Sequence, residues 1–170
     1  MGLQKGDIVG IVLPNCIEFP VLVLGCLYLG ITVTPINTGS TTHEISRQLS
    51  ASTATCIFGH SSSIGKLQQT LDLTAAISKA VVVGDKLEGN KNFLHWDDFI
   101  KSSNLSPIPD PAIVDIKKDI AILPFSSGTT GAPKGVMLSQ YNLVAGIHPV
   151  LCNDPEFILT AAGLNQEVEQ

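Results

Sequence analysis

Basic charge is what this chain has least of. Arg47 is the only arginine, and 10 Lys and Arg face 15 Asp and Glu among 170 residues, for a net charge of -5. No arginine patch can be built from one residue, which argues against nucleic acid or an anionic membrane as a partner. Cys16, Cys26, Cys56 and Cys152 contain no C-x-x-C pair. They read as core thiols in a reducing compartment rather than a disulfide framework or a zinc site. His43, His60, His95 and His148 never take the H-x-x-x-H spacing, so metal ligation is not expected. His43 falls in a helix-capping segment, His60 and His95 in polar turns, and His148 beyond the last expected helix. The apolar run 19–31 is shorter than the roughly 18–20 residues of a membrane span and reads as a core helix. The first seven residues lead straight into a strand-like run without a signal peptide, and Val168-Glu169-Gln170 is no peroxisomal Ser-Lys-Leu address. The compartment expected is the cytoplasm.

What the chain does have is apolar bulk. Hydrophobic residues make up 44% and charged residues 15%, enough for one domain with a substantial core. The run Ile8-Val9-Gly10-Ile11-Val12-Leu13 is apolar without alternation, which predicts a strand covered on both faces. Pro14-Asn15 ends it and opens a helix with Phe19, Leu22, Val23, Cys26, Leu27 and Gly30 on one face. A second strand is predicted over 31–35, a third over 54–58 and a fourth at 80–83. Thr41-Thr42-His43-Glu44 has the capping-box form, and the helix it starts places Ile45 and Leu49 toward the core. Residues 61–71 read as a further helix in spite of Gly65. Trp96 opens a short helix to about residue 100 whose Asp97-Asp98 pair reads as a solvated helix start. Residues 107–111 are a proline-rich connector. Asn104-Leu105-Ser106 is a chance glycosylation triplet unless the protein is secreted. Strands and helices alternating in this way predict an α/β layer fold with a largely parallel sheet, flanking helices and right-handed crossovers.

The most unusual stretch is Ser126-Ser127-Gly128-Thr129-Thr130-Gly131, between Leu123-Pro124-Phe125 and Ala132-Pro133-Lys134-Gly135-Val136. Glycines 128 and 131 permit backbone N–H groups to converge on one anion. The hydroxyls of 126, 127, 129 and 130 add donors, and Lys134 adds a positive charge. Such a set suits a polyphosphate. Walker A chemistry is not what it encodes, because Pro133 and Gly135 flank the lysine where that motif needs Gly and Ser or Thr. Residues 120–123 and 136–138 read as buried strands, so the run is a tight loop rather than a linker.

Across residues 123–144 the sequence LPFSSGTTGAPKGVMLSQYNLV resembles the phosphate-binding signature of the adenylate-forming, or AMP-binding, enzymes. Its Ser-Ser-Gly-Thr-Thr-Gly form is similar to that of the coumarate:CoA ligase and luciferase-like acyl-CoA synthetases. Gly6-Asp7-Ile8-Val9, Leu13-Pro14-Asn15, Glu18-Phe19, Gly30, Pro35, Glu44-Ile45 and Gln48-Leu49 continue the likeness more weakly, and 148–170 does not share it. Gln140 stands where many relatives carry His. The resemblance implies that Ser126, Ser127, Gly128, Thr129, Thr130 and Lys134 contact the phosphates of ATP, with Gly131, Pro133 and Gly135 shaping the loop. It implies a parent enzyme that activates a carboxylic acid as an acyl-adenylate and passes it to CoA, with ATP, Mg2+ and CoA as cofactors and co-substrates. The relatives' adenine pocket, magnesium-engaging acid, ribose aspartate and C-terminal catalytic lysine all lie beyond the loop. The chain therefore reads, over 1–170, as a partial AMP-binding large N-terminal domain without the C-terminal domain, carrying no catalytic residue of its own and inactive alone. Two other readings stay open. One is a truncated, non-catalytic product with weak nucleotide affinity and aggregation-prone uncovered apolar surface; the other is an amino-acid-adenylating domain. Peroxisomal placement of a complete protein also stays open, and the acid and the oligomeric state are unread.

Overall fold

The expectation of strands buried on both faces is met by a parallel sheet with helices on either side. The structure is a computed structural model that describes residues 1–86, 91–102, 109–126 and 133–153, the last six as helix backbone. Its elements are β1 (Ile8–Val12), α1 (Glu18–Tyr28), β2 (Thr32–Pro35), α2 (Thr42–Ser52), β3 (Cys56–His60), α3 (Ile64–Leu73), β4 (Lys79–Val83), β5 (Leu94–His95), α4 (Trp96–Ser102), β6 (Ile120–Ile122), β7 (Phe125–Ser126), β8 (Lys134–Gly135), β9 (Leu138–Ser139) and α5 (Gln140–Asn153). Seven strands pair in the order β5-β4-β3-β1-β2-β6-β9, and β7 pairs with β8 in a separate ribbon. All pairs in the large sheet are parallel except β6 with β9.

Strand order and handedness decide which face each helix covers. The chain steps one way from β1 to β2, then reverses to β3 and β4. Right-handed crossovers then put α1 on one face and α2 and α3 on the other. The two cores agree. Val9, Ile11, Val33, Cys56, Phe58, Val81 and Val83 pack with Leu22 and Cys26 of α1 and with Trp96 and Phe99 of α4. Val12, Ile57, Ala80 and Val82 pack on the other face with Ile45 and Leu49 of α2 and Leu67 of α3. Neighbouring residues of one strand thus serve opposite cores, which is why the strands read as unbroken apolar runs. Phe58 meets Phe99 edge-on at 5.8 Å and Trp96 at 6.3 Å, fixing α4 against the sheet.

Close packing needs space as well as apolar surface. A Cβ on Gly10 would lie 2.4 Å from a Leu49 methyl, and one on Gly59 would lie 2.2 Å from a Leu67 methyl. Adjacent strands β1 and β3 therefore each drop one side chain to admit a leucine from α2 and α3. Helix ends follow local rules. At the end of α1, Ile31 N donates to Cys26 O at 2.9 Å and Gly30 N to Leu27 O at 3.1 Å, with Gly30 at φ +66°. That is a Schellman stop, so Gly30 ends the helix rather than continuing its buried face. The same bonds close α2 from Ala54 and Thr53, but with Thr53 at φ 59°.

Several boundaries differ from the sequence reading, each for a physical reason. Strand β3 starts at Cys56 because Ala54 belongs to the cap of α2, and it runs to His60 because that residue pairs with Val83. His60 is therefore a strand residue whose ring accepts from Ser62 N at 3.2 Å, turning the chain through a 3-10 turn (Ser61–Ser63) into α3. Val136 and Met137 are 44% and 69% exposed, not a buried strand; the pairing resumes only at Leu138. Helix α5 continues through His148 to Asn153. Asp97 and Asp98 do form a solvated helix start, with Lys86 2.9 Å from Asp98. Cys16 is half-buried, and burial pushes the thiols of Cys26 and Cys56 up to about 12. The side chain of Cys152, the triplet 104–106 and the connector residues 107 and 108 lie outside the described residues, while the Tyr28 hydroxyl donates to Pro109 O of the connector, and Ala112 N, just after it, donates to Tyr28 O at the end of α1. The outward side of α1 leaves Ile17, Val21 and Leu24 more than half exposed.

Two substitutions test these constraints. Thr53→Gly relieves a β-branched residue in the left-handed region and is expected to raise stability by about 1 kcal/mol. Gly59→Ala is expected to lower it by about 1–3 kcal/mol through overpacking against Leu67. Urea unfolding of the 170-residue chain reads both as opposite shifts in midpoint at constant slope.

Candidate functional site

The polyphosphate candidate is carried on a hairpin that grows out of the sheet. Its inner part is β6 paired with β9, Ile122 opposite Leu138 and Ile120 opposite Ser139. Its outer part is the ribbon of β7 and β8, Phe125 opposite Gly135 and Ser126 opposite Lys134. Val136 N donates to Pro124 O at 2.8 Å between the two. Pro124 has no N–H to give to a neighbouring strand, and beyond it the ladder continues as a separate two-stranded ribbon. Gly135 admits the ring of Phe125, which would stand 3.2 Å from a Cβ there.

Among the predicted phosphate contacts, Ser126 and Lys134 are brought together as an exposed cross-strand pair at the top of this stem. Ser127, Gly128, Thr129 and Thr130 lie outside the described residues, as does Gly131. Pro133 and Gly135 are part of the stem. Gln140 follows Ser139, which pairs with the end of β6 farthest from the loop, so it opens α5 away from the stem's top.

What holds the hairpin in place was not evident from the loop. Strand β6 shares a single register pair with β2, Val33 opposite Ile122, and Leu123 N donates to Val33 O at 2.8 Å. Two buried threonines complete the seam. The Thr32 hydroxyl donates to Ile120 O at 2.7 Å, and the Thr34 hydroxyl donates to Leu123 O at 2.8 Å. Thr34 Oγ1 also accepts from Gln48 Nε2 at 2.9 Å, and the same amide donates to Pro35 O at 2.9 Å. A polar relay thus runs from α2 through β2 to the carbonyl just before Pro124. Its sequence signal is the Thr-x-Thr spacing, two hydroxyls on one side of an otherwise apolar strand.

Helix α2 is anchored in turn by the capping box that the sequence predicted. Glu44 N donates to Thr41 Oγ1 at 3.3 Å, and Thr41 N donates to Glu44 Oε2 at 2.7 Å. The Thr41 backbone N–H, then its hydroxyl, hold the Glu44 carboxyl below its ordinary range. That contribution is complete above the unfolded carboxylate's pKa and is lost as pH falls through the folded one.

Between α2 and the stem lies a cleft of about 330 Å³. Phe125 and Pro133 form its stem side; Asn37 and Ser40 line it from the loop after β2, and Glu44, Arg47 and Gln48 from α2. It opens at the carboxyl end of β2, the end of a parallel sheet where ligands bind.

Residues 1–162 match the model of the AMP-binding enzyme family. The chain belongs to that family. It is 36% identical over 148 residues to 4-coumarate-CoA ligase 1 of Narcissus pseudonarcissus, covering 86% of this chain and 26% of that protein. It is 36% identical over 150 residues to 4-coumarate--CoA ligase 2 of Solanum tuberosum, again covering 86% and 26%. A long-chain-fatty-acid-CoA ligase from Archaeoglobus fulgidus superposes with a TM-score of 0.75 at 29% identity, over 88% of this chain and 28% of that one. A red emitting luciferase from Phrixothrix hirtus gives 0.73 at 25%, over 82% and 27%. The chain thus spans about a quarter of the length of these relatives. No helix among the described residues is long and apolar enough to cross a membrane.

The relay is tested by removing one hydroxyl. Thr34→Val leaves the Leu123 carbonyl without its donor and Gln48 without one acceptor, and is expected to cost about 1–3 kcal/mol. Thr34→Ser, which keeps the hydroxyl, is expected to cost distinctly less in the same urea titration.

Proposed function

We propose that this chain supplies the ATP phosphate-binding loop of an AMP-forming acid:CoA ligase. The observation that carries the reading is the stem, which sets Ser126 and Lys134 side by side at the two ends of a Ser/Thr/Gly run. In the reaction, a carboxylate oxygen attacks the α-phosphorus of ATP and the bond to the bridging oxygen of pyrophosphate breaks. The CoA thiol then attacks the acyl carbon of the adenylate, AMP leaves, and the thiol proton passes to solvent or base.

This chain's part is electrostatic. Ser126, Ser127, Thr129, Thr130 and the N–H groups at Gly128 would donate to phosphate oxygens, and Lys134 would meet the charge that gathers on pyrophosphate as the bond breaks. Magnesium would accompany the nucleotide. On this reading residues 1–170 are part of the large AMP-binding domain, and the catalytic lysine of a C-terminal domain belongs to chain not included in them. A carboxylic acid, ATP and CoA are the small-molecule partners. The free thiols of Cys16, Cys26 and Cys56 suit a reducing compartment, the cytoplasm or a peroxisome.

Calorimetry with ATP and magnesium tests the loop directly. Saturable binding to the 170-residue chain is expected, weakened roughly tenfold or more by Lys134→Ala, as for loss of a charge-assisted contact. Equal affinity in both proteins would remove the loop from the nucleotide site.

A further inference from the structure

The cleft between α2 and the stem carries donors that the fold does not use. Arg47 is exposed and makes no hydrogen bond, ion pair or ring contact among the described residues. Asn37 uses its Oδ1 to accept from Gly39 N at 2.8 Å, which leaves its amide N–H groups available. The Ser40 hydroxyl has no partner among the described residues. All three line the same space.

Two cations and one carboxylate lie at or behind the rim of that space, Arg47, Lys66 and Glu44. Behind the rim, Lys66 Nζ donates to Thr38 O and Ser40 O, both at 2.9 Å, so a second cation fixes the loop that presents Asn37 and Ser40. The one carboxylate lining the cleft, Glu44, is committed through Oε2 to Thr41. Arg47 makes no ion pair among the described residues, although its charge, with that of Lys66, helps to keep the Glu44 carboxyl ionised. The stem side of the cleft is Phe125 and Pro133, residues next to Ser126 and Lys134 in the chain.

We infer that this cleft is an anion subsite in which Arg47, with Asn37 and Ser40, takes the terminal phosphates of the polyphosphate held at the hairpin. The inference rests on the phosphate-loop reading above and adds residues to it. A guanidinium presents a planar fork that can bind two phosphate oxygens at once, which Lys134 as a point charge cannot do. The cleft's volume of about 330 Å³ has room for such a group. Lys134 and Arg47 would then grip a polyphosphate from two elements, the hairpin and α2.

A single arginine makes the test site-specific, because its side-chain Nε–H gives one nitrogen–proton correlation. We would titrate 15N-labelled 170-residue chain with ATP, pyrophosphate, AMP and coenzyme A, each with magnesium. A saturable shift of the Arg47 signal with ATP and pyrophosphate, and none with AMP, is expected. Calorimetry on Arg47→Gln should show ATP binding weakened roughly tenfold, with Arg47→Lys in between. Arg47 is exposed, so an unchanged melting temperature is expected for both variants. An unmoved Arg47 signal in a chain that binds ATP and loses affinity on Lys134→Ala overturns the subsite and leaves the loop reading intact. A shift with coenzyme A but not ATP also overturns it. Absence of any ATP or pyrophosphate binding to folded chain would bring down the loop reading, and the subsite with it.

Discussion

The hydroxyl of Thr34 is the point on which the site's position depends. It is fully buried between two strands and one helix, donating a hydrogen bond to Leu123 O and accepting one from Gln48 Nε2. Strand β6 has only one register pair with β2, so side-chain bonds make up for a short backbone ladder. A buried carbonyl without a donor is costly, and that cost keeps Leu123, and therefore Pro124 and the stem, in one place. The loop candidate sits on a ribbon whose two strands, among the described residues, pair only with each other; its placement is inherited from β2 and α2.

This arrangement explains why some of the molecule could be read from the sequence and some could not. Strands β1 and β4 were legible because burial on both faces leaves an unbroken apolar signature, as in Val81-Val82-Val83. The start of α2 was legible because a capping box is local chemistry between Thr41 and Glu44. Thr34 and Gln48 were not, since their partners lie on other elements and no spacing rule links position 48 to 123. Val136 and Met137 misled for the opposite reason: apolar residues beside a motif suggest a core strand, but here the chain is between two ribbons and their side chains face solvent. His60 looked like turn chemistry and proved to be the last residue of a strand that also caps the turn after it.

The candidate site divides along the same line. Ser126, Lys134 and the residues between them announce themselves by composition, and their chemistry needs little beyond a tight loop. Arg47 carries no such signal. It is one charge on the exposed side of a helix, and as a sequence feature it says only that arginine is scarce. Its relevance comes from topology, because the right-handed crossover from β2 to β3 lays α2 beside the carboxyl end of the sheet, where the hairpin also emerges.

Charge economy points the same way. Fifteen carboxylates against ten lysines and arginines give every exposed cation abundant opportunity to pair, and Lys5 with Asp119 and Lys86 with Asp98 do so. Arg47 has a carboxylate one helical turn away, yet Glu44 is turned toward Thr41 by the capping box. The bond that starts α2 thus ties the Glu44 carboxylate to its own helix start, while Arg47, without an ion pair among the described residues, still adds to the charge that keeps that carboxylate ionised.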